Sequence, residues 1–314
     1  MVRASRWRPE HAPAQSGRVA LVTGATGGLG REVCRQLAER GATVVLAARD
    51  AAKRAETASW MRGQVPTAHV ESVELDLSDL GSVEAAAHDT AERVDRVDVL
   101  VNNAGVMATP YRRTAEGFEL QFGINHLGHF ALTGHLLPLL LSAGAPRVVN
   151  VSSTAHRMGR LDLDDLDSEH RYRKWRAYGR SKLANLLFTQ ELQRRADAAG
   201  VHLTSVAAHP GYAATGLQTV GPRMQGSRLR TALMRLVNRL GAQHPAQGAW
   251  PIVYAATMPD VDGGDYFGPD GPGESRGHPT RVGMSREACD RETARRLWDE
   301  STARTGAAFP ALVG

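Results

Sequence analysis

Cysteine is nearly absent: Cys34 and Cys289 are the only two in 314 residues. That is too few for a disulfide framework and suits a reducing compartment, so a cytoplasmic protein is expected. Cys34 falls at an apolar-periodic helical position, where a small buried residue belongs. Long apolar runs are missing as well. Residues 1–16 carry Arg3, Arg6 and Arg8 without a continuous apolar segment, so they read as a flexible tail, not as a secretory signal or membrane anchor. Aromatic residues make up only 5% of the chain, and no aromatic-basic pattern or recognised nucleic-acid motif accompanies the formal charge of +5. The charge is therefore read as arginine scattered over solvated helices, and no nucleic-acid partner is expected. No internal repeat or second domain is visible. The acidic stretch Leu161-Asp162-Leu163-Asp164-Asp165-Leu166 lacks the glycine and glutamate of a calcium loop, so no metal site is expected.

What is present is an alternation of short apolar strands and amphipathic helices. A strand at 19–22 runs into Gly24-Ala25-Thr26-Gly27-Gly28-Leu29-Gly30, and Leu29, Val33 and Leu37 then recur at helical spacing until Gly41. A strand, a glycine-rich turn and a helix make a pyrophosphate site, because backbone N–H groups and the helix dipole converge on the anion. Gly24 suits the tight turn, Gly28 the close approach of phosphates, and Gly30 the packing of helix on strand, with Thr26 and Leu29 between them. The second strand, 43–48, ends at Ala48 and Arg49. An acidic residue there would accept the ribose hydroxyls of NAD, whereas a guanidinium suits the 2′-phosphate of NADP, so NADP(H) is expected over NAD(H).

Further strands at 70–77, 98–101 and 203–208 complete the pattern of a parallel sheet covered by helices. Asp76 and Leu77 end the third strand and are placed to meet the adenine; Asn103, Ala104 and Gly105 follow the fourth and border the nicotinamide side. The stretch 116–141 reads as one long helix, apolar except for Asn125, which either caps a local distortion or holds a water. Tyr178 and Lys182 sit four apart and so share a helix face. An ammonium beside a phenol favours the phenolate, and Ser152 or Ser153, at the end of the strand 148–151, supplies a hydroxyl donor.

Taken together, Thr23-Gly24-x-x-x-Gly28-x-Gly30, Asn102-Asn103-Ala104-Gly105, Asn125, Ser153, Tyr178-x-x-x-Lys182 and Pro210-Gly211 resemble the short-chain dehydrogenase/reductase superfamily over nearly the whole chain. The resemblance implies a Rossmann-like, doubly wound parallel sheet in a single three-layer α/β/α domain. It implies that Tyr178 is the general acid/base, Lys182 lowers its pKa and binds the nicotinamide ribose, Ser153 orients the carbonyl, and Asn125 holds a proton-relay water. Pro210, Gly211 and Thr215 would close over the nicotinamide. The 25-residue spacing of Ser153 and Tyr178 exceeds that of compact members and marks an insertion at about 159–176. With Ser152-Ser153-Thr154-Ala155-His156 and Tyr178-Gly179-Arg180-Ser181-Lys182, it resembles the retinol-dehydrogenase-like branch, which includes protochlorophyllide reductases.

Residues 222–240 alternate arginine with Met224, Leu229, Leu233, Leu236 and Val237, an amphipathic basic helix within a substrate lid at 212–245. A lid, or packing in a homo-oligomer, is favoured over an anionic membrane surface. Residues 17–305 are thus expected to form the catalytic domain, with 306–314 a second tail. His209 reads as a core or loop residue. The expected activity is interconversion of a carbonyl and an alcohol on an apolar small molecule, the alternatives being a C=C reductase on the same scaffold or a silent NADP-binding regulatory protein.

Overall fold

The computed structural model describes residues 6–212 and 243–312. Eight strands form one sheet in the order β3-β2-β1-β4-β5-β6-β7-β8. They are β1 (Val19–Thr23), β2 (Thr43–Ala47), β3 (Val70–Val73), β4 (Val99–Asn102), β5 (Arg147–Val151), β6 (Thr204–Ala208), β7 (Tyr266–Pro269) and β8 (Pro279–Arg281). All neighbours are parallel except β7 and β8. The order reverses at β1 and β4, and a doubly wound sheet opens its ligand crevice at the carboxyl ends of the strands beside such a reversal.

Strand alternation builds two buried layers. Ala20 and Val22 face one side with Val33, Leu37, Met61 and Ile252, while Leu21 faces the other with Phe130, Leu136, Phe188 and Trp298. Helices α1 (Gly28–Glu39), α2 (Ala51–Gln64) and α3 (Leu80–Arg93) cross between the first four strands. Asp50 and Asp79 cap α2 and α3 by accepting from Lys53 N and Ser82 N.

The stretch 116–141 is not one helix. It is α4 (Leu120–Phe122), a π turn (Gly123–Leu127), α5 (Gly128–His135) and α6 (Leu137–Leu141). Glu119 starts it by accepting from Gln121 N and Phe122 N, three residues later than expected. Pro138 lacks an N–H, which breaks the ladder at Leu136. Asn125 lies in the π turn, the kind of distortion that concentrates at functional sites. The long α7 (Lys174–Ala198) is continuous, and α8 (Pro245–Gly248), α9 (Trp250–Thr257) and α10 (Arg291–Thr305) follow.

Neither end behaves as a tail where it is described. Trp7 is buried, its indole donating to Met258 Sδ at 3.1 Å and meeting Tyr254 edge-on at 5.2 Å. Ala307, Phe309 and Leu312 are buried too, Phe309 lying 4.5 Å from the Trp298 ring and 5.0 Å from Phe130. The third strand is shorter than expected, ending at Val73. Strand β7 lies within the glycine-rich segment 263–277. Apart from Tyr212 and 243–245, the lid at 212–245, the basic helix at 222–240 and Thr215 lie outside the described residues. Among the described residues no helix is long and apolar enough to cross a membrane.

Candidate active site

After β1 the chain turns sharply at Gly24, whose φ of +64° would strain any side chain and whose added Cβ would sit 2.9 Å from Ala104 Cα. At Gly30 a Cβ would fall 2.4 Å from Gly24 O, so helix α1 packs on the turn only because that atom is missing. Gly28 differs: a Cβ there would meet nothing nearer than Pro245 Cγ at 3.8 Å. Its hydrogen keeps open the approach to the cleft, which is what a pyrophosphate needs. The N-cap of α1, Gly27, makes no side-chain cap. The first amides of the helix thus remain available to an anion.

A cavity of about 440 Å³ opens here, walled by Gly24, Thr26, Gly28, Leu29 and Gly30 on one side and by Arg49, Asp76 and Leu77 on another. Asn103, Ala104 and Gly105 close it, with Val106 and Ile124 as an apolar end. Lys53 also lines it, a second cation that sequence reading missed because it lies inside α2. Arg49 is largely exposed and 3.6 Å from the Asp76 carboxylate. Asp76 Oδ1 accepts from Ser78 Oγ at 2.6 Å and Ser78 N at 3.0 Å, while Oδ2 faces Arg49. Burial works to raise its pKa, but these bonds and Arg49 together bring it below the usual carboxylate value. The glycine turn and the uncapped helix fit a dinucleotide, with Arg49 after β2 and Lys53 in the first turn of α2 as two cations beside them.

Thr23 ties the two loops of the crevice together. Its hydroxyl accepts from Asn103 N and Ala104 N, each at 2.9 Å, and its carbonyl accepts from Asn103 Nδ2 at 2.7 Å. His129 Nε2 lies 2.9 Å from the same hydroxyl, and its Nδ1 is 3.0 Å from Asn125 O. Burial holds His129 down to about 4, so it is a neutral hydrogen-bonding spacer at physiological pH.

Beyond this wall α7 presents Tyr178, Ser181, Lys182 and Asn185 to the ends of β4 and β5. Lys182 Nζ donates to Val151 O at 2.9 Å, and Asn185 Nδ2 donates to the same carbonyl at 3.2 Å. The ammonium would come within 3.6 Å of a Cβ at Gly105, which puts it at the end of the cleft. The two serines are distinguished by their partners. Ser152 is buried and donates to Lys182 O at 2.8 Å, whereas the Ser153 hydroxyl accepts from Ala155 N at 3.2 Å and lies near enough to the Tyr178 phenol to lower its pKa.

Titration departs from the sequence expectation. Burial pushes the Tyr178 phenol up to about 12, against a lowering by the nearby Ser153 hydroxyl, and lowers Lys182 to about 8. The ammonium is 5.9 Å from the Tyr178 ring centre. At that range desolvation outweighs any pull toward the phenolate, and Tyr178 keeps its proton at neutral pH.

Asn125 is bonded on both sides. Its Oδ1 accepts from Val106 N at 2.8 Å, and its amide nitrogen donates to Val106 O at 3.0 Å and Ser181 Oγ at 2.9 Å. With both amide hydrogens committed, its side chain anchors the β4 loop and α7 to the π turn. Ser181, which donates on to Tyr178 O at 2.8 Å, was not anticipated; its place one turn after the tyrosine was the available signal.

At the far side, Gly211 has a φ of +65° and packs where a Cβ would be 2.5 Å from Ser275 O, and Pro210 O accepts from Gln243 Nε2. His209 is buried with Nε2 3.0 Å from Glu274 Oε2, and burial lowers it to about 4.

A family model described as short chain dehydrogenase matches residues 18–225. The chain belongs to the short-chain dehydrogenase family. Over 307 residues it is 42% identical to polyprenol dehydrogenase of Mus musculus, covering 96% of this chain and 88% of that protein. Over 305 residues it is 40% identical to retinol dehydrogenase 14 of Homo sapiens, covering 92% and 87%. Among solved structures, an uncharacterized protein from Mycobacterium paratuberculosis is 43% identical with a TM-score of 0.79, covering 98% of this chain and 100% of that one. This short-chain dehydrogenase is thus an oxidoreductase of the retinol-dehydrogenase-like branch, on the Rossmann-like sheet its sequence pattern implies.

Proposed function

We propose that the protein is an NADP(H)-dependent oxidoreductase that interconverts a carbonyl and an alcohol on an apolar small molecule. The observation that carries this reading is the juxtaposition of Ser153 and the Tyr178 phenol, with Lys182 beside it at the end of the dinucleotide cleft. The cofactor, when bound, supplies or accepts the hydride. The glycine turn of Gly24, Gly28 and Gly30 would hold its pyrophosphate, Arg49 its 2′-phosphate, and Lys182 and Tyr178 its nicotinamide ribose. Arg49 must then exchange part of its pairing with Asp76 for the phosphate.

The protein's share of the chemistry is a proton and its placement. A phenol near 12 is in the donor form at neutral pH, so Tyr178 can give its proton to a carbonyl oxygen as charge builds there. Ser153 donates to the same oxygen and fixes its direction. The Lys182 ammonium, mostly charged below pH 8, faces the phenolate that results. Asn125 acts as a positioning residue, because its bonds to Val106 and Ser181 hold the loop and the helix that carry the reacting groups.

Two facts favour an apolar substrate. Both relatives above are named for apolar alcohols. Among the described residues the exposed large apolar side chains also lie in the segments that follow β4, β5 and β6 and at the start of α7: Tyr111, Met158, Tyr212 and Trp175, the last edge-on to Tyr178 at 6.4 Å. Initial rates of NADPH and NADH oxidation with apolar aldehydes, ketones and enones test the reading. Carbonyl-dependent oxidation of NADPH in preference to NADH is expected. Enone-only turnover, a preference for NADH, or no substrate-dependent oxidation would each overturn it.

A further inference from the structure

Helix α7 has two functional faces. Tyr178, Lys182 and Asn185 look toward the sheet, whereas Arg173, Arg176 and Arg180 recur at helical spacing on a face turned away from it. That second face forms one wall of a separate cavity of about 760 Å³, closed by the inserted 160–171 segment and by α10. Six arginines line it: Arg160, Arg171, Arg173, Arg176, Arg180 and Arg296.

The cavity's three aspartates offset half of that charge and leave an excess of three cations, and two of the three also shape the insertion. Asp162 accepts from Asp164 N at 3.2 Å, and Asp165 accepts from Glu169 N at 2.8 Å and pairs with His170 at 3.4 Å. Arg171, Arg173 and Arg176 pair with no acid among the described residues.

Arg180 is the second, independent observation. It is only 6% exposed, yet its Nε and Nη2 have no hydrogen-bond partner. Its Nη1 donates to Asp165 O at 2.9 Å, and the Glu119 carboxylate is no closer than 3.7 Å, itself spent on Gln121 N and Phe122 N. A buried guanidinium held by one hydrogen bond, one long ion pair and the Phe122 ring at 5.6 Å is incompletely satisfied, and a phosphate matches its fork of donors.

We propose that this cavity is a second binding site, for a ligand bearing adjacent phosphate groups, held by Arg180 at the base and Arg173 and Arg176 at the rim. Such a ligand would sit against the insertion and the outer face of the helix that carries Tyr178, apart from the dinucleotide cleft. It is a soluble phosphorylated molecule or the headgroup of an anionic lipid.

Isothermal titration of the full chain with inorganic pyrophosphate tests this. The glycine turn can also take pyrophosphate, so the comparison is between wild type, the double variant Arg173→Gln/Arg176→Gln and the control Arg62→Gln on α2. The exposed rim pair is chosen because Arg180→Gln would also disturb a buried contact. The site predicts a saturable binding event that weakens at least tenfold in the double variant and persists in the control. Its displacement by vesicles containing phosphatidic acid supports the site with a headgroup as source, and its survival supports a soluble phosphate. Equal binding by wild type and double variant, an equal loss in the control, or no saturable binding overturns the proposal.

Discussion

Lys182 carries a conflict that can be measured. Its ammonium is buried and donates to the carbonyl of Val151, and burial brings its pKa from 10.5 down to about 8. A folded value below the unfolded one means the unfolded chain binds more protons between those values. The group therefore opposes folding below pH 8, and the penalty is relieved as pH rises toward 10.5. Lys182→Met keeps the volume and removes the charge. After losing one hydrogen bond it should stabilise the protein by about 2 kcal/mol at pH 7. Thermal melts from pH 7 to 10 should show that advantage shrinking; a variant less stable at pH 7, or a constant difference, would contradict the desolvation account. Tyr178 works with the opposite sign, since its raised value loses stability only above pH 10. Arg49 is the other residue-scale test. Arg49→Ala should weaken NADPH by roughly one to two decades, the worth of a charge-assisted contact of about 1.5–3 kcal/mol, and leave NADH nearly unchanged. Ala48→Asp should go further and favour NADH, and titrations in which both cofactors lose equally would remove Arg49 from the phosphate site.

At the scale of elements, the glycine turn separates packing from binding. Gly30→Ala drives a Cβ against Gly24 O at 2.4 Å, so it should cost about 1–3 kcal/mol of stability. Gly28→Ala meets only Pro245 at 3.8 Å and should leave the melting temperature unchanged while weakening NADPH. Melting and cofactor titration on the pair check this; a destabilised Gly28→Ala with intact affinity would reverse the assignment. The turn was legible because strand, glycines and helix are contiguous in sequence. So were Tyr178 and Lys182, whose spacing fixes a shared face. The π turn was not, since Phe122, Leu127 and Phe130 keep an apolar pattern that a continuous helix would also show. Strand β7 was hidden because Tyr266–Pro269 is four residues between glycines, and its pairing comes from β6. The raised pKa of Tyr178 was not legible either, because spacing gives neighbours but not the burial that sets it.

For the whole molecule, the ends of the described chain belong to the fold. Phe309 joins Trp298 and Phe130 beneath α10, so Phe309→Ala should cost about 3–5 kcal/mol in chemical denaturation, whereas a true tail would cost nothing. Sequence reading treated 306–314 as a tail because a few apolar residues after Gly306 carry no periodicity. The same scaffold holds Tyr178, the proposed proton donor: α7, the π turn and the β4 loop meet around it through Asn125 and Ser181. The most direct test of that claim is Tyr178→Phe, which removes the phenolic hydroxyl and keeps the ring. With NADPH and a carbonyl substrate of the wild type, turnover should fall by a factor of about 10² or more. NADPH binding and melting temperature should stay near wild type. A variant that keeps wild-type turnover on that substrate would contradict the account.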